Sequence, residues 1–190
     1  IIFSIILLFV YSIFQSKNFE EINMRSIFFN VISILTGTGY VTGEFDEWGN
    51  FTLIFFLTLM FIGGCAGSTT CGIKIFRIQI LFLFIINQLK KIIYPKGIFL
   101  IKYDKNAVDD KFMASIISFI FLYFVIFFLI TALLSLSGLD FVTSISGAAT
   151  SISNVGPGLG STIGPSGNFS SLPEASKWIL SLGMILGRLE

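Results

Sequence analysis

The longest uninterrupted apolar stretch of the chain covers residues 112–136 and contains no charged residue. A stretch of about 20 apolar residues is long enough to cross the hydrocarbon core of a bilayer as a helix. Composition agrees, because 54% of the residues are hydrophobic and only 12% are charged, whereas soluble domains average about 25% charged residues. The sequence therefore predicts an all-α membrane protein.

Two other apolar segments, residues 24–35 and 141–152, are too short to cross, since 12 residues of helix reach only about 18 Å. Each is followed by a segment rich in glycine, which is a poor helix former. The first glycine loop comprises Thr36, Gly37, Thr38 and Gly39, and the second comprises Ser153, Asn154, Val155 and Gly156. Irregular backbone inside a membrane must be buried in protein or line a watery cavity, and carbonyl-lined loops form cation filters. For the first loop alone, a helix end followed by a surface hairpin remains an equal alternative.

The two loops belong to an internal repeat. Each unit has a spanning helix, a short re-entrant helix, a glycine loop and a second, broken spanning helix; the units cover residues 1–86 and 112–190, the second being truncated at its C-terminus. Gly39 and Gly156 occupy matching places, which favours pore loops over surface turns. Two loops cannot surround an ion, so either two chains pair or a longer protein supplies two further units. We expect this chain, which lacks an initial Met, to be half of such a four-repeat pore.

A break interrupts the apolar run that follows the first loop. This break loop consists of Gly63, Gly64, Cys65, Ala66, Gly67, Ser68, Thr69, Thr70, Cys71 and Gly72. Broken helices are typical of binding sites and moving parts in transport proteins. The spacing of Gly67 and Gly72 resembles a phosphate-binding loop, but Ile73 follows where that motif requires lysine. The two cysteines are expected to be small packing residues.

The strongly polar segment 87–111 holds a cluster of lysines. The positive-inside rule places this linker in the cytoplasm, so the glycine loops open to the outside. Within it, residues 98–103 are predicted to be a short strand or an interfacial segment. Glu44, Asp46 and Glu47 follow the first loop and form either an acidic rim that attracts cations or an ordinary solvated loop. Asp140 is predicted to cap the helix that begins after it.

Composition also excludes several classes of function. The chain has no histidine, so histidine catalysis and histidine metal sites are absent, and its net charge of +1 does not favour nucleic acid. No motif predicts an organic cofactor. An intramembrane enzyme is disfavoured because no catalytic pair is present. A secondary symporter of an organic solute is the main alternative to an ion conductor, since it too would contain broken helices.

Three long motifs carry a resemblance to a known family. They are the break loop through Lys74, the segment from Asn154 to Gly160, and Ala175-Ser176-Lys177-Trp178 together with Gly187-Arg188-Leu189-Glu190. With them the whole chain resembles the third and fourth repeats of the Trk/Ktr potassium-uptake family, and the linker is more similar to the Trk branch. The departures are Gly37 and the pair Thr70-Cys71, where the family often has glycines.

The resemblance implies gated uptake of potassium through a filter-lined pore, with the potassium ion as cargo and no bound organic cofactor. It implies that both glycine loops are filter walls. It assigns the gate to Gly63, Gly64, Cys65, Ala66, Gly67, Ser68, Thr69, Gly72 and Arg188. Arg188 would repel cations and pair with an acid or with loop carbonyls; alternatively Glu190 or a lipid headgroup satisfies it. The implied setting is a multi-pass protein of the cell (inner) membrane, a homodimer on a cytoplasmic ring of nucleotide-binding regulatory subunits.

Overall fold

The computed structural model describes residues 1–15, 24–94, 97, 102–103 and 106–189. Its elements lie close to the apolar segments of the sequence. In chain order they are α1 (Ile2–Gln15), α2 (Met24–Leu35), α3 (Asn50–Phe61), α4 (Ile75–Ile93), β1 (Lys102–Tyr103), β2 (Asn106–Ala107), α5 (Asp110–Leu136), α6 (Phe141–Ser153), a 3-10 turn (Phe169–Ser171) and α7 (Glu174–Arg188).

The described part of the chain is helical apart from one antiparallel pair, β1 and β2, in the linker. The prediction of an all-α fold is confirmed at the level of a helical protein, since a ladder of two residue pairs does not change the fold class. Tyr103 lies in β1, as one of the two predictions for residues 98–103 required, while residues 98–101 lie outside the described part. A two-residue ladder is set by the turn between its strands, so apolar periodicity gives no signal for it.

Helix α5 contains the span Lys111–Leu136, which among the described residues is the helix long and apolar enough to cross a membrane. Only 22% of its most apolar 18-residue window is buried, so most side chains of this window face outward. Shorter apolar helices cover Ile2–Phe14, Met24–Leu35 and Asn50–Phe61. An apolar helix surface exposed to this extent suits a lipid environment.

Helix α6 lies at the centre of the fold. Its small side chains are buried from Thr143 to Ser153, and it packs against α3, α5 and α7. On α7, a Cβ at Gly183 would come within 2.7 Å of Ser151 Oγ, and a Cβ at Gly187 would overlap the Ile152 carbonyl oxygen. The pair Gly183 and Gly187 therefore forms a small-residue seam that lets two helices approach closely.

Both ends of α6 are fixed by side chains. The carboxylate of Asp140 accepts a hydrogen bond of 3.1 Å from the Thr143 amide, which confirms the predicted helix cap. Asn154 ends the helix in the left-handed conformation at φ 51°, which asparagine tolerates better than most residues. The second glycine loop thus leaves α6 in a defined direction.

Helix α4 resumes after the break and packs on α5. The Arg77 guanidinium lies 3.8 Å from the centre of the Phe119 ring. A cation over an aromatic face at this distance is attractive. This contact joins the helix after the break to the first helix of the second unit.

Candidate functional site

The first glycine loop is tied back to α2 through its amides. The amides of Thr38 and Gly39 donate to the Ser33 carbonyl at 2.9 and 3.4 Å, and the Ser33 hydroxyl donates to the Tyr40 carbonyl at 2.5 Å. One turn earlier, the buried Asn30 accepts from the Thr42 amide at 3.1 Å. Buried polar side chains on α2 therefore hold the segment that follows the loop, and the Ser33 carbonyl holds the third and fourth residues of the loop itself.

The second glycine loop is held in the same manner by Thr150 of α6. Its carbonyl accepts from the Val155 amide at 3.1 Å, and its hydroxyl accepts from the Gly156 amide at 2.9 Å. In each loop the third and fourth residues donate to the helix residue five or six positions earlier. The two loops therefore share one pattern of hydrogen bonds.

Backbone conformation repeats as well. The second and fourth residues of the first loop, Gly37 and Gly39, have φ of 66° and 76°. The corresponding Asn154 and Gly156 have φ of 51° and 116°. Positive φ is accessible mainly to glycine and asparagine, so Gly37, a departure from the family pattern, serves the same conformation as Asn154.

The carbonyl groups of the loops are used differently from the amides. Within the described residues the amides point back to the helices, whereas only the Thr36 carbonyl, among those of the two loops, accepts a hydrogen bond. The other seven belong to Gly37, Thr38, Gly39, Ser153, Asn154, Val155 and Gly156. Unused backbone oxygens of this kind are ligands for a hard monovalent cation.

The two loops lie against each other although 117 positions separate Gly39 from Gly156 in the sequence. A Cβ at Gly39 would overlap the Val155 carbonyl oxygen and would lie 3.3 Å from Pro157 Cδ. A Cβ at Gly156 would lie 3.8 Å from Gly39 Cα. The approach therefore requires glycine at position 39, whereas at Gly156 it is the positive φ that favours glycine.

The second loop is also supported from the sides. Ser153, the last residue of α6, is buried, and its hydroxyl lies 2.8 Å from the Tyr123 hydroxyl of α5. Asn154 Nδ2 donates to the Met184 carbonyl of α7 at 3.1 Å. The second loop is therefore braced by both neighbouring helices.

The break loop closes at a narrow neck. Ile62 and Ile73 form an isolated parallel bridge, in which the Gly63 amide donates to the Ile73 carbonyl and the Ile73 amide donates to the Phe61 carbonyl, both at 2.9 Å. A Cβ at Gly63 would come within 2.9 Å of the Cys71 carbonyl oxygen. Glycine at the neck thus allows the chain to leave and re-enter at one place.

Two distant parts of the chain, α7 and the first glycine loop, contact the break loop. Arg188 Nη1 donates to the Thr69 carbonyl at 2.9 Å and lies 3.5 Å from Cys71 Sγ. The Thr70 hydroxyl lies 3.4 Å from the Thr36 carbonyl. Sequence analysis gave an acid, a loop carbonyl, Glu190 or a lipid headgroup as possible partners of Arg188, and the structure shows the loop carbonyl. Glu190 lies outside the described residues.

The cysteines of the break loop differ. Cys71 is buried, as expected of a packing residue, but Cys65 is exposed near the tip of the loop. The packing prediction is therefore wrong for Cys65. A loop closed at its neck turns its middle residues away from the helices, and this explains the exposure.

The acidic residues after the first loop do not form a uniform rim. Glu44 is exposed, whereas Asp46 is half-buried with one buried carboxylate oxygen that accepts no hydrogen bond in the described structure. Burial raises the pKa of Asp46 above its usual value, although hydrogen bonding from backbone groups, including that of Gly160, opposes this. Asp46 therefore packs against the loop that follows the second glycine loop.

Sequence analysis missed Tyr123, Met184 and Gly183, and it did not indicate that the Thr70 hydroxyl contacts Thr36. Tyr123, Met184 and Thr70 act through contacts between distant segments, for which a single sequence holds no signal. Gly183 could have been found, because its spacing from Gly187 is that of a helix-packing motif.

Comparison with known proteins gives the family. The model of the family described as "TrkH: Cation transport protein" matches residues 1–190. The chain belongs to this family. It is a family of membrane transport proteins rather than an enzyme class.

Relatives of this TrkH-family chain carry related names. It is 45% identical over 168 residues to the Trk system potassium uptake protein TrkI of Halomonas elongata, a match that covers 88% of this chain and 34% of the relative. It is 37% identical over 165 residues to TrkG of Escherichia coli, with 86% and 33% covered. The chain thus spans about a third of the length of the curated relatives it matches.

A solved structure has the same fold. The potassium transporter TrkH from Vibrio parahaemolyticus superposes with a TM-score of 0.85 at 30% identity. The match covers 99% of this chain and 41% of that protein. Over nearly the whole length of the TrkH-family chain, its helical architecture is therefore that of the corresponding part of a known potassium transporter.

Proposed function

We propose that this chain forms two of the four pore-loop repeats of a potassium-uptake protein, with the two glycine loops as two walls of its filter. The observation that carries the proposal is that the two loops have matching backbone conformations. In both loops the amides donate to the preceding helix, and most carbonyl oxygens accept no hydrogen bond in the described structure. Residues 1–86 and 112–190 are the two repeats, and α2 and α6 are their re-entrant helices. The C-terminal ends of both helices carry partial negative charge, which favours a cation beside the loops.

The cargo is potassium rather than an organic solute. The relatives are named as potassium uptake proteins, and this supports an ion pore over an organic-solute symporter. An ion dehydrated by backbone oxygens needs no side-chain ligands.

The break loop and Arg188 serve as the gate. The residues of the proposed gate are Gly63, Gly64, Cys65, Ala66, Gly67, Ser68, Thr69, Gly72 and Arg188. Arg188 joins α7 to the Thr69 carbonyl of the loop, so its positive charge is fixed beside the break in the helix. A cation approaching from the filter meets both the loop and this charge.

The complete protein works as a homodimer with a cytoplasmic ring of nucleotide-binding regulatory subunits, as the family resemblance implies. It is a multi-pass protein of the cell membrane. The basic linker 87–111 lies in the cytoplasm by the positive-inside rule, and the glycine loops open to the outside.

Substitution of the two glycines that have positive φ and lie where the loops meet, Gly39 and Gly156, tests the filter. In the full-length protein, Gly39→Ser and Gly156→Ser are expected to reduce the potassium-to-sodium uptake ratio by about tenfold, because a strained positive φ of about 1–3 kcal/mol displaces the carbonyls. Complementation of a potassium-uptake-deficient strain and ion flux in proteoliposomes measure the effect.

The matched control is Gly43→Ser, where an added Cβ would find Ser26 Oγ at 3.6 Å, an ordinary contact. Its uptake ratio should remain that of the wild type. Normal selectivity in both Gly39→Ser and Gly156→Ser would rule out the filter assignment.

A further inference from the structure

Thr70 is the residue of the break loop that reaches a glycine loop. Its hydroxyl lies 3.4 Å from the Thr36 carbonyl, and its methyl carbon lies 3.2 Å from the position of a Cβ at Gly37. Thr36 and Gly37 are the first residues after α2 and hence the innermost of their loop. Thr70 therefore covers the inner end of the first glycine loop.

Neighbouring groups hold Thr70 in this place. The Ser68 hydroxyl donates to Thr70 Oγ1 at 2.8 Å, and the Thr70 amide donates to Ser68 Oγ at 3.1 Å. With Ser68 as donor, the proton of the Thr70 hydroxyl is free to point at the Thr36 carbonyl. On the other side Arg188 holds the adjacent Thr69 carbonyl.

We propose that Thr70 is a positioning residue that caps the Thr36 carbonyl oxygen, so that loop closure and ion binding at this oxygen compete. This inference rests on the proposed function and adds a regulatory step to it. A carbonyl that accepts a hydroxyl proton is a poorer ligand for a cation, since the hydrogen bond uses one of the two lone pairs of the oxygen. By linkage, a potassium ion at the inner end of the filter favours release of the loop.

Kinetics of the full-length protein in proteoliposomes test the cap. Thr70→Val keeps the shape and removes the hydroxyl, so the KM for potassium is expected to fall about threefold, the effect of one modest hydrogen bond. Thr70→Ser keeps the hydroxyl and should retain the wild-type KM. Thr58→Val makes the same chemical change on the exposed side of α3, where the hydroxyl bonds to the Phe55 carbonyl, and serves as the control.

An unchanged KM in Thr70→Val overturns the cap, and so does an increase of maximal rate alone, which would mean that the loop has merely been loosened. KM does not depend on the amount of folded protein, and Thr70→Ala is a second variant with the same expected shift. The two proposals fail in different ways. A wild-type protein without saturable potassium uptake would contradict the proposed filter. Normal wild-type uptake with an unchanged KM in Thr70→Val would contradict only the proposed cap.

Discussion

Asp140 caps the helix that carries the second glycine loop at its other end. Its carboxylate caps the N-terminus of α6, and hydrogen bonding from Thr143 lowers the pKa of Asp140 below its usual value. Because the pKa of Asp140 is lowered in the folded protein, its carboxylate stabilises the folded state at pH values above the usual carboxyl pKa. This contribution to stability is lost as the pH falls through the lowered pKa.

Asp140→Ala is expected to reduce the free energy of unfolding by about 1 kcal/mol at neutral pH, the usual value of an N-cap. The difference from the wild type should shrink in acid, where Asp140 is protonated in both states. Thermal unfolding of the full-length protein in detergent at two pH values measures it. Asp109 at the start of α5 makes no side-chain cap, so an equal loss in Asp109→Ala would contradict the explanation.

At the scale of elements, the break loop is the part whose removal leaves the helices in place. The neck holds Gly63 and Ile73 together, so residues 64–71 can be deleted with Gly63 joined to Gly72. We expect higher potassium flux, because the gate is gone, with the potassium-to-sodium ratio retained, because both glycine loops remain. Unchanged flux per molecule in proteoliposomes would show that the loop is not the gate.

Elements whose identity depends on local chemistry were predictable from the sequence. The apolar segment of α2, the long α5, the cap at Asp140 and the break after Phe61 all follow from composition and glycine content. The contacts that assemble them were not predictable. The hydrogen bond from Asn154 to the Met184 carbonyl joins residues 30 positions apart, and chain topology alone brings them together.

At the scale of the whole molecule, the segments that follow the two glycine loops meet, as the glycine loops themselves do. Asp46 lies close to Gly164, where an added Cβ would lie 2.6 Å from Asp46 Oδ2. The packing of these two segments encloses part of a carboxylate, and this raises the pKa of Asp46.

Because the pKa of Asp46 is raised in the folded protein, protonated Asp46 stabilises the folded state at low pH. This contribution to stability is lost as the pH rises through the raised pKa. Asp46→Asn should therefore increase the Tm of the full-length protein at neutral pH and leave it unchanged in acid. The exposed Asp109→Asn is the control for loss of charge. A Tm gain that persists at low pH would exclude burial of the charge as its cause.

The bridge between Ile62 and Ile73 has a consequence for the energetics of gating. It anchors the chain on both sides of the break, so opening rearranges a few residues whose tip, around Cys65, already faces solvent. Little apolar surface changes its hydration in such a movement, and heat capacity follows apolar hydration. For the proposed gate, the enthalpy of opening is therefore expected to change little with temperature.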